Sequence, residues 1–156
     1  NLTSITIPNS VTYIGVYAFW GCTNLTTIKV GAENANYTDV EEVLFNKKKT
    51  LLHTYPAGKA GANYVIPNSV TRIWHFSFNS CSSLKSITLG NGVTSIGEKA
   101  FWNCTSLTAL TFLGDAPKLS NDAFNESSPT IYREADAKGW ANTLAGRPVK
   151  LITEKP

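Results

Sequence analysis

Few residues in this chain have side chains suited to acid-base or nucleophilic chemistry, and they lie far apart. His53 and His75 fall in different segments, and no HExxH or GxSxG motif accompanies either of them. Glu41 and Glu42 are adjacent, so in an extended segment their carboxylates point to opposite faces and make a poor acid and base pair. The aspartates are too dispersed for a calcium loop: Asp39, Asp115, Asp122 and Asp136. We therefore predict a non-enzyme with no cofactor and no metal.

The three cysteines, Cys22, Cys81 and Cys104, each stand three residues before a leucine. Equivalent positions imply a shared role, and the favoured one is a buried free thiol packed as a small apolar group. A disulfide between Cys81 and Cys104 is the alternative, since it requires a specific separation and geometry. Zinc is disfavoured because no CxxC motif or nearby histidine completes a ligand set.

The elements around these residues come from a repeat that the chain contains three times. The copies are VTYIGVYAFWGCTNL at 11–25, VTRIWHFSFNSCSSL at 70–84 and VTSIGEKAFWNCTSL at 93–107. The last two copies begin at Val70 and Val93, and a fixed period of this size is typical of a solenoid. Each repeat then buries its apolar face against its neighbours.

Each repeat changes its apolar period along its length. Alternation at residues 4–7 predicts a half-buried strand, which Pro8 ends because proline cannot donate to a ladder. Residues 11–14 predict a second extended stretch, ending at a glycine, Gly15, for which we expect a positive φ. Apolar residues three and four apart within 18–22 predict one helical or 3-10 turn.

One coil carries an insertion of about 13 residues, estimated from the longer spacing between Leu25 and Leu84. It includes VLFNKKKTLLHTYP, in which two β-rich runs flank a polar turn. Such a pattern predicts a hairpin with Lys47, Lys48 and Lys49 at its solvated tip. We expect the insertion to project from one face.

These spacings predict a single domain of about five coils followed by a C-terminal cap. The coils span 2–24, 25–60 with the insertion, 61–83, 84–106 and 107–128, and the cap spans 129–156. In the cap we predict a strand at 130–132, a short helix at 135–144 with Trp140 covering the core, and a closing strand at 149–152. The chain has no methionine and begins inside a repeat, so we expect a piece of a longer protein.

Composition excludes some partners. Charged residues make up 16% of the chain, and the net charge of +3 comes from scattered lysines rather than a basic stripe, which argues against nucleic-acid binding. No apolar run approaches the roughly 18 residues that a membrane span requires.

The string IPNSVTxIGxxAFxxCxxL resembles the BspA-like, or treponemal-type, leucine-rich repeat over residues 2–126. The segment with VLFNK and YP resembles a variant coil of that family, and TIY followed by Gly-Trp resembles its C-terminal cap. The resemblance implies a right-handed, β-rich superhelix. It also implies an exported bacterial protein, often surface-associated, with a role in adhesion or in protein and glycan binding.

Three sets of residues follow from the repeat. The outward-facing residues of the strands should align as a polar ladder across one face of the sheet. This ladder is either a candidate binding face or only part of the scaffold. Its members are Ser4, Thr6, Thr27, Lys29, Ser86, Thr88 and Thr111. Trp20 and Trp102 occupy a variable position, so they are candidate exposed aromatics that either bind a ligand or cover a core edge. The third set should form a stacked spine: Phe19, Phe78, Phe101 and Phe124.

We thus expect a monomeric, non-catalytic extracellular binding module of a bacterial surface or secreted protein, recognising protein or glycan. The alternative is a structural spacer within a larger cell-surface protein.

Overall fold

The chain folds into a β-solenoid of about six turns, which confirms the predicted fold class. The computed structural model describes all residues 1–156. It contains one 3-10 helix at Ile152–Glu154 and fourteen short strands. The strands are β1 (Ser4–Ile7), β2 (Thr27–Val30), β3 (Tyr37–Val40), β4 (Val43–Asn46), β5 (Leu51–Thr54), β6 (Asn63–Val65), β7 (Arg72–Ile73), β8 (Ser86–Leu89), β9 (Ser95–Ile96), β10 (Ala109–Phe112), β11 (Lys118–Leu119), β12 (Thr130–Arg133), β13 (Thr143–Leu144) and β14 (Arg147–Leu151).

Two stacks of strands run along the solenoid. In the first, β6, β8, β10, β12 and β14 are parallel, and β13 adds an antiparallel edge. The second has the order β11-β9-β7-β5-β4-β3, while β1 and β2 form a separate parallel pair. Because the rungs are in register, equivalent residues of successive repeats lie beside one another, as Ile87 and Leu110 do. The sixth turn arises because β12, placed in the cap by the sequence pattern, forms a full rung beside β10.

The insertion consists of two hairpins that extend the second stack. A tight turn at Glu41 and Glu42, both with positive φ, joins β3 to β4. The predicted lysine hairpin joins β4 to β5, and Lys47, Lys48 and Lys49 are exposed at its tip. The expectation of a projecting insertion is wrong, because β4 lies between β3 and β5 and its apolar side chains are buried.

This insertion interrupts the regular strand stacking between the first two coils and the later ones. Since β4 and β3 occupy the places beside β5, residues 11–14 of the first coil form no strand. The core is divided accordingly into a cluster of 23 buried residues and a smaller one of 5. The smaller cluster contains Ile7, Leu25, Ile28, Tyr37 and Leu44.

The predicted helical or 3-10 turn of each repeat is present as successive turns whose hydrogen bonds join residues three apart. In the first coil the amides of Ala18 and Cys22 donate to the carbonyls three residues earlier. Gly15 does not have a positive φ, so that expectation is wrong. The reason for glycine is visible at its counterpart Gly97, where an added Cβ would lie 2.6 Å from the His75 backbone nitrogen of the preceding coil.

The aromatic spine exists, but Tyr55 occupies the place predicted for Phe19. Phe78 and Phe101 stack with centroids 5.2 Å apart, and Phe101 and Phe124 with centroids 5.6 Å apart. On the other side of Phe78, Tyr55 stacks at 5.4 Å. Phe19 packs against the smaller core cluster and is half-buried, because the second coil supplies Tyr55 through its YP segment.

The C-terminal cap contains no helix at residues 135–144, so that prediction is wrong. Turns and the short β13 occupy the segment, and β13 pairs with β14. Trp140 nonetheless packs on the core, with its ring 5.1 Å from that of Phe112 and its Nε1 donating to the Gly114 carbonyl at 3.1 Å. Gly139, with φ of 78°, is the turn residue before it. The cap therefore closes this end of the core with one tryptophan and a strand pair.

Candidate binding surface

The polar ladder predicted on the outward side of the first stack is present in register but is interrupted. Ser4 pairs with Thr27 and Thr6 with Lys29 in the β1 and β2 sheet. Ser86 and Thr88 lie in the other sheet, where they neighbour Asn63 and Val65 of β6. Because β2 and β6 are not paired, the ladder is two separate surfaces and not one.

Much of the ladder is occupied by contacts within the protein. The hydroxyl of Ser86 donates to the Asn63 side chain at 2.7 Å. Lys29 Nζ lies 3.4 Å from the Asp39 carboxylate, which also accepts the Val30 amide at 2.7 Å. Thr27, Ser86 and Thr88 are half-buried, whereas Ser4, Thr6 and Lys29 are exposed.

The expectation that Thr111 faces solvent is wrong. It is buried at 7% exposure, because the C-terminal segment crosses the outward face of β10 and β12. Lys155 Nζ lies 3.3 Å from the Thr111 hydroxyl and 5.6 Å from the centroid of the Tyr132 ring. This end of the ladder is thus not available to a ligand.

The two candidate tryptophans stack on each other. The rings of Trp20 and Trp102 have centroids 4.9 Å apart and planes inclined by 15°. Tyr17 and Phe76 complete a cluster with Trp20, at centroid distances of 5.1 to 6.0 Å. We call these four residues the aromatic patch. Tyr17 is 62% exposed and Trp20 is 47% exposed, while Phe76 and Trp102 are half-buried.

The insertion explains why residues so far apart in sequence meet here. The second coil has the short segment Tyr55, Pro56 and Ala57 where other coils have a full turn segment. The turn of the first coil therefore lies beside that of the third, and Phe76 contacts both Tyr17 and Trp20. A narrow cleft between these turns is lined by Phe19, Trp20, Tyr55, Phe76 and Asn79 among others.

Sequence reasoning missed Tyr17 and Phe76, although a signal for them exists. Both stand two residues before the repeat phenylalanine, where later coils have Lys99 and Asp122. An aromatic residue at a position that is otherwise charged indicates a surface contact. In the structure Lys99 Nζ lies 6.0 Å from the centroid of the Phe76 ring.

Uncharged polar groups flank the aromatic patch. Asn79 stands in the third coil where Trp20 and Trp102 stand in theirs. The Ser80 hydroxyl donates to the Asn79 side-chain carbonyl at 3.0 Å, and the Asn103 amide donates to Ser80 at 3.2 Å. The surface thus combines aromatic rings with amide and hydroxyl groups.

The histidines serve structural hydrogen bonds. His53 is buried, with its ring nitrogens 3.0 Å from the Ile14 carbonyl and 2.8 Å from the Thr54 hydroxyl. Burial lowers the pKa of His53, and the Ile14 hydrogen bond offsets part of that shift. His75 Nδ1 accepts the Glu98 amide at 2.9 Å. The two rings lie in different contacts and do not form a site together.

The cysteines are free thiols, as favoured from the sequence. Cys81 and Cys104 are buried, and Cys22 is half-buried. Burial raises the pKa of Cys81 well above its usual range and that of Cys104 to about 12. Such thiols are poor nucleophiles because the thiolate is the reactive form.

No group of three or more His, Cys, Asp or Glu side chains is placed to hold a metal ion. The structure also has no helix whose length and hydrophobicity would let it cross a bilayer.

Comparison with known proteins agrees with this architecture. Residues 57–132 match the family described as BspA type leucine-rich repeat region. Three solved structures are similar. A leucine-rich repeat protein from Eubacterium ventriosum is 29% identical with a TM-score of 0.63, and the match covers 85% of this chain and 43% of that one. The pneumococcal vaccine antigen PcpA is 27% identical with a TM-score of 0.70, covering 85% and 39%. A leucine-rich cell surface protein from Faecalibacterium prausnitzii is 28% identical with a TM-score of 0.65, covering 84% and 41%.

Residues 57–132 therefore form a BspA-type leucine-rich repeat region, and the resemblance seen in the sequence is confirmed for that part of the chain. The chain spans about two fifths of the length of each solved structure it matches. No curated protein matches it significantly. Its class is that of bacterial leucine-rich repeat domains, a repeat family that is generally non-catalytic.

Proposed function

We propose that this chain is a non-catalytic binding module of an exported bacterial surface or secreted protein, and that it binds a protein or glycan ligand in an adhesion-like role. The aromatic patch is the observation that carries this proposal. Aromatic side chains give large contact area with few rotatable bonds, so exposed clusters of them favour recognition.

The exposure of Tyr17 and Trp20 supports a binding role more than a purely packing role. A ring that only covers a core edge gains stability by being buried. In contrast, Trp20 remains 47% exposed and Tyr17 62% exposed although both contact Phe76. The patch lies on the turn side of the solenoid, where side chains differ from coil to coil. Solenoids commonly bind ligands through such extended surfaces.

Two lines of support come from the comparisons. A similar solved structure is described as a cell surface protein and another as a vaccine antigen. Both support placement of this module outside the cell.

A binding screen with matched variants tests the proposal. The chain, its Trp20→Ala variant and its Tyr13→Ala variant are applied to a glycan array and to a panel of extracellular matrix proteins. Tyr13 is the control because it is 79% exposed and forms none of the patch contacts. We expect a ligand whose binding falls at least about tenfold on Trp20→Ala, typical of an interface anchor, and is retained on Tyr13→Ala. Thermal melts of both variants check that the fold persists.

The screen also separates the structural spacer from the binding module. A ligand that binds both variants as well as the parent chain would place recognition away from the patch. A panel on which the parent chain finds no glycan and no protein would favour the spacer.

A further inference from the structure

We propose that Asn91 is a site of spontaneous deamidation, at which the side-chain amide is lost and the main chain is rearranged. Asparagine is among the thermally labile residues of proteins. Its deamidation is easiest before glycine, which has no Cβ to obstruct ring closure and moves freely between backbone conformations. Asn91 is followed by Gly92, and no other asparagine of the chain precedes a glycine.

Asn91 and Gly92 lie in the turn between β8 and β9, and the peptide group that joins them makes no hydrogen bond within the protein. The Gly92 amide donates to no carbonyl, and the Asn91 carbonyl accepts no amide. One hydrogen bond spans the turn, from the Val93 amide to the Gly90 carbonyl at 3.3 Å. The Asn91 side chain is exposed and forms no hydrogen bond with the protein. The two groups that must react are therefore held by no other bond.

The equivalent turns of the first and third coils are restrained in ways that the fourth is not. In the first coil the Asn9 side chain accepts the Glu33 amide at 3.2 Å. In the third coil Asn68 is followed by Ser69, whose hydroxyl donates to the Lys49 carbonyl at 2.8 Å. Neither restraint is present in the fourth coil, so its turn is the one most free to reach the cyclic intermediate.

The reaction needs only water as a co-reactant. The Gly92 nitrogen attacks the side-chain carbonyl carbon of Asn91, and its proton is taken up by the departing ammonia. A new C–N bond forms, the bond to the side-chain nitrogen breaks, and a cyclic succinimide remains. Water then opens the ring at either carbonyl. One product is aspartate, and the other is isoaspartate, in which the main chain runs through the former side chain.

The fifth coil packs directly against the main chain of Asn91. At Gly114 an added Cβ would lie 2.6 Å from the Asn91 carbonyl oxygen and 2.7 Å from its Cα. Two backbones packed this closely leave no room for the extra methylene that isoaspartate adds to the main chain. Isoaspartate in this turn should therefore push the fourth and fifth coils apart.

The new carboxylate also enters acidic surroundings. Asn91 lines one shallow concavity together with Asp115 and Asp136. Asp115 accepts the Lys138 amide at 2.7 Å, which fixes its carboxylate there. Like charges brought close together repel one another. Both products thus add a third carboxylate to the concavity, and isoaspartate also lengthens the main chain.

A comparison of two asparagines in one molecule tests the proposal. The chain and its Gly92→Ser variant are incubated in a mildly alkaline buffer and mapped by mass spectrometry, which detects the replacement of –NH2 by –OH. We expect Asn91 to deamidate at least about tenfold faster than Asn68, because only Asn91 precedes a glycine. An Asn91 that reacts no faster than Asn68 would overturn the proposal.

Gly92→Ser is the matched control, because it gives the fourth coil the Asn-Ser sequence of the third. A Cβ at Gly92 would lie 3.7 Å from the Val70 carbonyl oxygen, which is an ordinary contact, so the variant should keep the fold. We expect it to slow the reaction of Asn91 to the rate of Asn68. Fast deamidation that persists in Gly92→Ser would contradict the role of glycine.

A parallel incubation in urea tests whether the folded turn is open to the reaction. We expect the folded chain to react nearly as fast as the unfolded chain, since a group without protecting contacts does not require global unfolding. Deamidation of Asn91 that occurs only in urea would show that the fold protects the turn, and the proposal would fail.

The effect on packing is measured with the incubated chain and with Asn91→Asp, which carries the new charge without the longer main chain. Enzymatic methylation quantifies the isoaspartate. We expect the incubated chain to unfold at a lower urea concentration than Asn91→Asp, by a margin that grows with its isoaspartate content. Equal midpoints would contradict the predicted separation of the coils. None of these residues belongs to the aromatic patch, so the binding screen tests a different claim.

Discussion

The thiol of Cys104 donates a hydrogen bond to the backbone carbonyl oxygen of Phe78, across 3.0 Å and between two successive coils. Ser127, which replaces cysteine in the next coil, donates in the same way to the Phe101 carbonyl. The repeat cysteine is therefore a small donor that joins neighbouring turns. This explains why a hydroxyl can replace it where the cysteine pattern ends.

Substitutions at Cys104 should separate its donor role from its packing role. We expect Cys104→Ala to lower the free energy of unfolding by about 1 to 2 kcal/mol, from one lost hydrogen bond and a small cavity. Cys104→Ser keeps a hydrogen-bond donor, as Ser127 does, so the free energy of unfolding should decrease by less. Urea denaturation of both variants measures this order. The reverse order would show that apolar packing outweighs the hydrogen bond.

Truncation in the aromatic spine should weaken several coils together. Phe101 is fully buried and stacks on Phe78 and Phe124, so Phe101→Ala should cost about 3 to 5 kcal/mol. Phe19→Ala is the matched control, because Phe19 is half-buried and outside the stack. In a urea or thermal melt, Phe19→Ala should lower the free energy of unfolding by clearly less than Phe101→Ala does. Equal decreases would contradict the finding that Tyr55, and not Phe19, stacks at this end of the spine.

Glycine substitutions should distinguish an interior coil from the first one. Gly97→Ala would bring a Cβ within 2.6 Å of the His75 backbone nitrogen, where the neighbour is backbone and cannot rotate away. We expect Gly97→Ala to lower the free energy of unfolding by about 1 to 3 kcal/mol, as in an overpacked core. Gly15→Ala meets no such atom and should be neutral or stabilise by about 0.4 to 1 kcal/mol through the unfolded state. Thermal melts of both variants test the difference.

Acid should destabilise the contact between the insertion and the first coil. Burial lowers the pKa of His53 in the folded chain, so the unfolded chain takes up the proton first as pH falls. Stability is therefore full above pH 6.5 and declines below it by up to about 1.4 kcal/mol per pH unit. Protonation would also prevent Nδ1 from accepting the Thr54 hydroxyl.

Urea melts between pH 5 and 7.5 check this dependence. His53→Gln should remove the decline in that range, and His75→Gln should retain it. A decline that persists in His53→Gln would assign it to another group.

The repeat period predicted the solenoid, the first strand of each coil and the burial of Cys81 and Cys104, because these depend on short-range pattern. Alternation along β1 places Ile5 and Ile7 on one face and Ser4 and Thr6 on the other, whatever the neighbouring coil is. The same reasoning failed where the packing of a residue depends on which coil lies beside it. Phe19 has the same local sequence as Phe101, but it lies outside the spine because Tyr55 of the insertion is stacked on Phe78.

The candidate binding surface was predicted only in part for the same reason. The variable position of Trp20 and Trp102 indicated exposure, yet nothing in the local sequence places their rings in contact. Tyr17 and Phe76 join them because the second coil is short at Tyr55 and Pro56. Thr111 was expected to be exposed, and the distant Lys155 covers it.

The sequence by itself determined the repeat, its apolar positions and its family, because each residue of a coil repeats a local pattern whose burial is the same in every interior coil. The tertiary structure alone decided the break between β2 and β6 and the contacts of the aromatic patch. Each of these depends on which coil lies beside which, and the buried β3 and β4 strands change that neighbourhood without changing the local pattern of any repeat.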